Sequence, residues 1–140
     1  MSVIKATIEQ LNELNLNTLG ETLGIEFTEV GDDYVSARMP VDKRTVQPYQ
    51  ILHGGASVAL AETLGSIAAQ ITVGFENPCV GVEINANHLK SVSKGFVHGT
   101  AKPVRIGRSM HVWGIEIKDD HGNLICVSRL TVLVKSKKPV

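Results

Sequence analysis

Aromatic residues make up only 4% of the 140-residue chain, and cysteine occurs just twice, at Cys79 and Cys126. So few flat rings argue against a surface that stacks on bases. Two thiols cannot build a disulfide framework or a metal knuckle by themselves. Net charge is missing too: 14 Lys and Arg balance 14 Asp and Glu, so no global field draws the chain to nucleic acid or an anionic membrane. The longest apolar stretch, residues 54–75, is interrupted by Glu62 and Gln70, which argues against a membrane span. His88, His98, His111 and His121 lack HExxH-type or cysteine-paired spacing, so no metal is expected. There is no GxGxxG, no P-loop and no GxSxG, which removes nucleotide-cofactor and serine-hydrolase chemistry. Residues 1–12 carry no cationic, apolar, small-residue leader. The expectation is a cytoplasmic chain whose cysteines stay as buried thiols.

Hydrophobic residues at 43% and charged residues at 20% describe one globular domain over residues 1–140, with a single core. Within an N-terminal helical segment, 1–24, residues 7–14 place Ile8, Leu11 and Leu14 at helical spacing. Residues 18–23 form a second short helical piece that stops at Gly24. The period then changes to two over residues 25–30. It continues over residues 34–41 after a Gly31-Asp32-Asp33 turn, with Val35, Ala37, Met39 and Val41 on one face. Residues 42–53 are irregular. Residues 54–71 read as an Ala- and Leu-rich helix, apolar nearly all round, which must be buried on most sides. Four strands in meander follow, 79–90, 96–106, 109–118 and 124–135, with turns at 91–95, Gly107 and 119–123. Val80, Val82, Ile84 and Ala86 are expected on one face of the first, and Trp113, Ile115 and Ile117 on one face of the third. Residues 135–140 read as a frayed tail. An antiparallel sheet of about six strands can cover such a helix only by curling around it. The class is therefore α+β, and the single covering layer leaves surface that favours a dimer.

Glu62 stands among Ala59, Leu60, Ala61, Leu64 and Gly65 on that greasy helix, with Ser66 and Gln70 one and two turns on as the rest of a narrow polar stripe. Burying an unpaired carboxylate is costly, so such a residue has a partner or a task. At the helix start, His53-Gly54-Gly55 offers orphan N–H groups and the positive end of the helix dipole to an oxygen that becomes an oxyanion. The bland alternative there is a Gly-rich junction with His53 as a polar cap. Gly54 and Glu62 lie roughly 12 Å apart along a helix axis. A reacting carbonyl needs both donor and attacking group within roughly 3–3.5 Å. If both serve one site, two subunits must share it. Gln47, before Pro48, is a candidate amide donor to a carbonyl. Thr63 and Ser66 are candidates for orienting Glu62 or a water, though helix hydroxyls often bond back to the main chain. Lys90, Ser91, Arg105 and Arg108 lie near strand ends where phosphates could meet them. Lys90 and Arg105 are expected at opposite ends of one hairpin, so a shared phosphate site again needs two subunits.

The runs Met39-Pro40-Val41-Asp42, Arg44-Thr45-Val46-Gln47-Pro48, Leu52-His53-Gly54-Gly55-Ala56-Ser57 and Ala61-Glu62 resemble the hotdog-fold acyl-CoA thioesterases of the phenylacetate-pathway and aryl-CoA branch. Val80-Gly81-Val82-Glu83-Ile84-Asn85-Ala86-Asn87-His88 is similar to the 1,4-dihydroxy-2-naphthoyl-CoA hydrolases and the enterobactin proofreading thioesterases. Val112-Trp113-Gly114-Ile115-Glu116-Ile117 and Ser128-Arg129-Leu130-Thr131 fit the same group. The resemblance implies a hotdog fold and hydrolysis of an aryl or related acyl-CoA to free acid and CoA, without a cofactor. It puts the catalytic carboxylate on Glu62, as nucleophile or as general base, and the oxyanion donor on the partner subunit's Gly54 N–H. Gln47 and His53 fall where the thioester is contacted, Ser66 on the helix hydroxyl, and Thr63 where close relatives often carry Ser. CoA contacts fall on Gly81, Val82, His88, Leu89, Lys90, Ser91, Arg105, Gly107, Arg108 and Ser109. Tyr49-Gln50-Ile51 departs from the family, which has an aromatic followed by Gly; the expectation is an altered loop shape. A homotetramer built as a dimer of dimers is expected. Two other readings stay open. A hotdog hydratase or dehydratase is disfavoured because those families pair a catalytic His with their acid in a different loop motif. A non-catalytic acyl-CoA sensor would leave Glu62 without a task.

Overall fold

The computed structural model describes residues 6–135; beyond Lys135, the expected frayed tail lies outside them. The elements are α1 (Ile8–Leu14), α2 (Leu19–Thr22), β1 (Glu26–Val30), β2 (Val35–Pro40), α3 (Gly54–Val73), β3 (Cys79–His88), β4 (Phe96–Ile106), β5 (Met110–Asp119) and β6 (Leu124–Val134). A capping box starts α1: the Thr7 hydroxyl accepts the Gln10 N–H, and the Gln10 side chain accepts the Thr7 N–H. Gly24 follows α2 at φ 76°, the left-handed position that ends a helix. Of the α1 stripe, Leu11 is fully buried but Leu14 stays exposed.

All six strands form one antiparallel sheet in the order β1-β2-β4-β5-β6-β3. It wraps α3 as a bun wraps a sausage, the expected hotdog. Leu60, Ala61, Leu64 and Ala68 of α3 join Met39, Val97, Trp113, Ile117, Leu130 and Val132 in one fully buried core. Gly65 lets helix and sheet close together, because a β-carbon there would lie 2.6 Å from Leu130 Cδ2. With 20 residues and a mean hydropathy of 1.3 over its best window, α3 is long and apolar enough to cross a membrane. Half of that window is instead buried under the sheet.

Two strand expectations need correction. The meander comprises β4, β5 and β6 only. β3 makes no hairpin with β4. It pairs with β6 at the far edge, Cys79 opposite Val134 and His88 opposite Cys126, while β4 pairs with β2. Residues 89–95 can span the gap: extended they reach roughly 23 Å, against roughly 14 Å for three strand spacings. Gly95 does turn, at φ 81°, but the chain on either side of it serves different neighbours. The second correction concerns the faces of β3. Gly81 faces Val132 and Glu83 faces Thr131, so Val82 is the extra residue of a bulge. Val80 and Val82 are 41% and 56% exposed, and the inward positions fall to Gly81, Ile84 and Ala86.

The two sheet edges are treated differently. Beside β1, the Asn12 amide bonds both the N–H and the carbonyl of Phe27, at 2.8 and 3.3 Å, and Asn15 donates to the Ile25 carbonyl at 2.8 Å. These amides stand in for a neighbouring strand and blunt that edge. Among the described residues β3 pairs with β6 alone, and its other side carries no strand.

Candidate active site

Gly54 is the first residue of α3, and the extended His53 caps it. His53 Nδ1 accepts the Gly55 N–H at 2.7 Å, and the His53 carbonyl accepts those of Ala56 and Ser57. The Gly54 N–H donates to none of the described residues. Capping therefore consumes the neighbouring donors and leaves one, at the positive end of the helix. His53 is thus the polar cap of the bland alternative, and Gly54 the free donor of the functional one.

That donor opens on a cleft of about 360 Å³ shared by Gln47, Ser57, His88, Leu89, Lys90 and Ser91. The Gln47 side-chain carbonyl accepts the Tyr49 N–H, which leaves its amide nitrogen to donate into the cleft. The His88 imidazole packs on Gly54. Ser57, 2% exposed, was not singled out by sequence, although its spacing of three from Gly54 puts it on the same helix face. Gln50 adopts φ 63°. This is a left-handed conformation that glycine adopts more readily than glutamine.

Glu62 lies two turns further along α3, half-buried, with its carboxylate against Gly81 of β3. No described residue bonds it or pairs with its charge. Thr63 and Ser66 face a second cleft, of about 340 Å³, between α3 and the α1–α2 segment. Leu11, Leu14, Leu19, Phe27 and Ile67 supply its apolar walls, and none of its lining residues is charged. Gln70 ends the polar stripe in a structural task. Its amide donates to the carbonyls of Gly74 and Asn77, and its oxygen accepts the Cys79 N–H. Cys79 is only half-buried, not fully as expected, and burial raises the pKa of both thiols, so they stay protonated. One chain therefore divides the predicted residues between two places, the donors at one and the carboxylate at the other.

The basic candidates divide the same way. Lys90, beside the donor cleft, pairs at 3.7 Å with Asp119, not with anything on β4. Asp119 is a missed residue. It also accepts the His121 and Asn123 N–H groups and the Asn123 amide, and that amide above all lowers its pKa to about 2. Its signal is the Asp-Asp-His-Gly-Asn turn, where an Asp side chain commonly bonds back to the main chain. Arg105, Gly107, Arg108 and Ser109 cluster at the β4–β5 turn, where Ser109 accepts the Val134 N–H. This is the Cys79 end of β3, whereas Lys90 follows the His88 end. The expected separation of Lys90 and Arg105 holds, at opposite ends of the strands, although β3 and β4 form no hairpin. Of the remaining histidines, His98 bonds Asp120 at 2.7 Å, and His111 is buried beside Trp113.

A family model described as the thioesterase superfamily matches residues 49–126. A 1,4-dihydroxy-2-naphthoyl-CoA hydrolase of Escherichia coli is 48% identical over 93% of this chain and 96% of its own. A proofreading thioesterase of Cronobacter turicensis is 50% identical over 91% of this chain and 93% of its own. The crystal structure of a thioesterase from Haemophilus influenzae superposes with a TM-score of 0.95 and 46% identity. The match covers 99% of this chain and 98% of that one.

Proposed function

Because the chain belongs to the thioesterase superfamily and is a thioester hydrolase, we propose that it hydrolyses an aryl or related acyl-CoA in sites that two copies build together. The observation that carries this reading is where Gly54 and Glu62 sit. They share one helix, roughly 12 Å apart along its axis. Gly54 packs against His88 and Glu62 against Gly81, both on or at the end of the open edge strand. Antiparallel pairing of two β3 edges, about a two-fold axis between Ile84 and Asn85, sets Gly81 opposite the partner's His88. Glu62 then meets the partner's Gly54, and each dimer gains two complete sites.

In such a site the thioester oxygen takes the Gly54 N–H and the Gln47 amide, which bind it more strongly as it gains charge. Glu62 of the other copy acts in one of two ways. As nucleophile it attacks the carbonyl carbon, expels the CoA thiolate and leaves an anhydride for water to open. As general base it takes a proton from a water that attacks directly. Both routes yield free acid and CoA, and both draw only on groups of this chain and water. The acyl group runs past Thr63 and Ser66 into the uncharged cleft beneath α1 and α2. Apolar walls favour a ring system there and disfavour an acyl chain ending in a carboxylate. The segment from His88 to Ser91, beside Gly54, borders CoA on one side, and Val82, Arg105, Gly107, Arg108 and Ser109 of the copy that supplies Glu62 border it on the other, where the arginines meet its phosphates. Exposed Leu16, Leu19 and Phe75 lie outside β3 and leave apolar surface for dimers to pair into a tetramer. The free thiols suit the reducing cytoplasm.

A panel of aryl, straight-chain and carboxylate-bearing acyl-CoAs, followed by release of free thiol, tests the reading. Aryl-CoAs should turn over fastest. No thiol from any member would overturn the proposed substrate class, and preference for carboxylated acyl groups would overturn the acyl cleft.

A further inference from the structure

We propose that Gly81 is a positioning residue for Glu62: the side chain it lacks is the notch in which the carboxylate lies. A β-carbon at Gly81 would collide with Glu62 Oε2, lie 3.4 Å from its Cδ, and lie 3.2 Å from Leu130 Cδ1. The carboxylate has no hydrogen bond or ion pair to any described residue. Its aim is therefore set by the shape around it, and the piece of that shape nearest the open edge is Gly81.

The strand is built to present this glycine. Simple alternation would turn Val80 and Val82 toward the helix. The bulge at Val82 shifts the register between Gly81 and Glu83, so both valines stay exposed and Gly81 takes the inward place. The resemblance to the acyl-CoA thioesterases gives Gly81 as a CoA contact; its contact with Glu62 assigns it to the carboxylate. The role rests on the reading of Glu62 as the acting carboxylate. The colliding atom is the far end of a flexible side chain, so an added methyl should turn the carboxylate away and leave the fold standing.

Steady-state kinetics of Gly81→Ala test this. The expected result is a melting temperature near wild type, an unchanged KM and a kcat lower by about 10²-fold, the scale of a reacting group misplaced by roughly 1 Å. The loss should vanish in a Glu62→Gln background, where no acting carboxylate remains to be aimed. It should shrink in Glu62→Asp, whose shorter carboxylate clears the methyl. A raised KM with kcat preserved, or the same loss in all three backgrounds, would overturn the positioning role. If Gly81→Ala does not fold, Gly81→Ala with Glu62→Asp decides. Folding restored supports the clash with the carboxylate, and failure of both chains assigns the clash to Leu130 and overturns the proposal. Full hydrolysis by Glu62→Gln alone would overturn the functional reading itself, and the positioning role with it.

Discussion

Gly54 and His88 meet at the mouth of the donor cleft, where a β-carbon on Gly54 would lie 2.8 Å from His88 Nε2. The helix start thus leaves room for a ring that closes one side of the N–H that no described residue takes. Gly54→Ala keeps the N–H but pushes the exposed imidazole aside. The expected loss in kcat/KM is about tenfold, smaller than the loss of about 10²-fold that a 1 Å misplacement brings. His88→Ala should lose a similar factor, and the double variant no more than either single one. Additive losses would separate the two residues.

Gln50 holds φ 63° in the turn that orients Gln47. A side chain pays roughly 1–2 kcal/mol to stay left-handed, part of which glycine returns as unfolded-state entropy. Gln50→Gly is therefore expected to stabilise the chain by up to about 1 kcal/mol, with activity retained. Denaturant midpoints check this, and a lowered midpoint would contradict it.

The helix, the strand spans and the turn chemistry were legible because each is written in local periodicity: Trp113, Ile115 and Ile117 alternate inward as read, as do Val35, Ala37 and Met39. The partner of β3 was not legible. Gly95 turns the chain in the same way whether the next strand lies beside β3 or across the sheet. The Val82 bulge was hidden for a related reason, since one extra residue in a valine-rich run leaves the composition unchanged while moving Gly81 under Glu62. Glu62, Gly54 and Gln47 stood out in the sequence as candidates through an isolated charge, a glycine pair and an amide before proline. Ser57 and Asp119 escaped because a helix serine and a turn aspartate look alike in most folds.

His111 is fully buried; its Nδ1 accepts the Trp113 indole N–H at 3.3 Å, and Nε2 has no partner among the described residues. Burial lowers its pKa below 6.5, so the unfolded chain binds this proton more readily than the folded one. Its stabilising contribution is present above about pH 6.5 and is lost as pH falls. Asp42, held near about 2 chiefly by Arg44, and Asp119 weaken the fold only at more acid pH. Melting temperature should therefore drop between about pH 7 and pH 5, and the drop should flatten in His111→Asn. An unchanged slope in that variant would assign the effect elsewhere.

Lys90→Ala and Arg105→Ala should each raise KM for acyl-CoA far more than they lower kcat, and the effect should fade with added salt. Equal losses in kcat would move these side chains from phosphate binding into the chemistry.

The central claim is that each site takes Glu62 from one copy and Gly54 from the other. His53, at φ −69° and ψ 130°, already has the extended conformation that a following proline requires. Gly54→Pro therefore deletes the donor N–H at a helix position where proline is favoured. Each of Glu62→Gln and Gly54→Pro, once shown to fold and dimerise, should be inactive alone. The decisive measurement is thiol release after the two chains are unfolded and refolded together in equal amounts. Two-fold mixing predicts recovery of about a quarter of the wild-type rate, because half the dimers then hold one site made of two intact halves. No recovery from a mixture in which mixed dimers are demonstrably present would contradict the shared site.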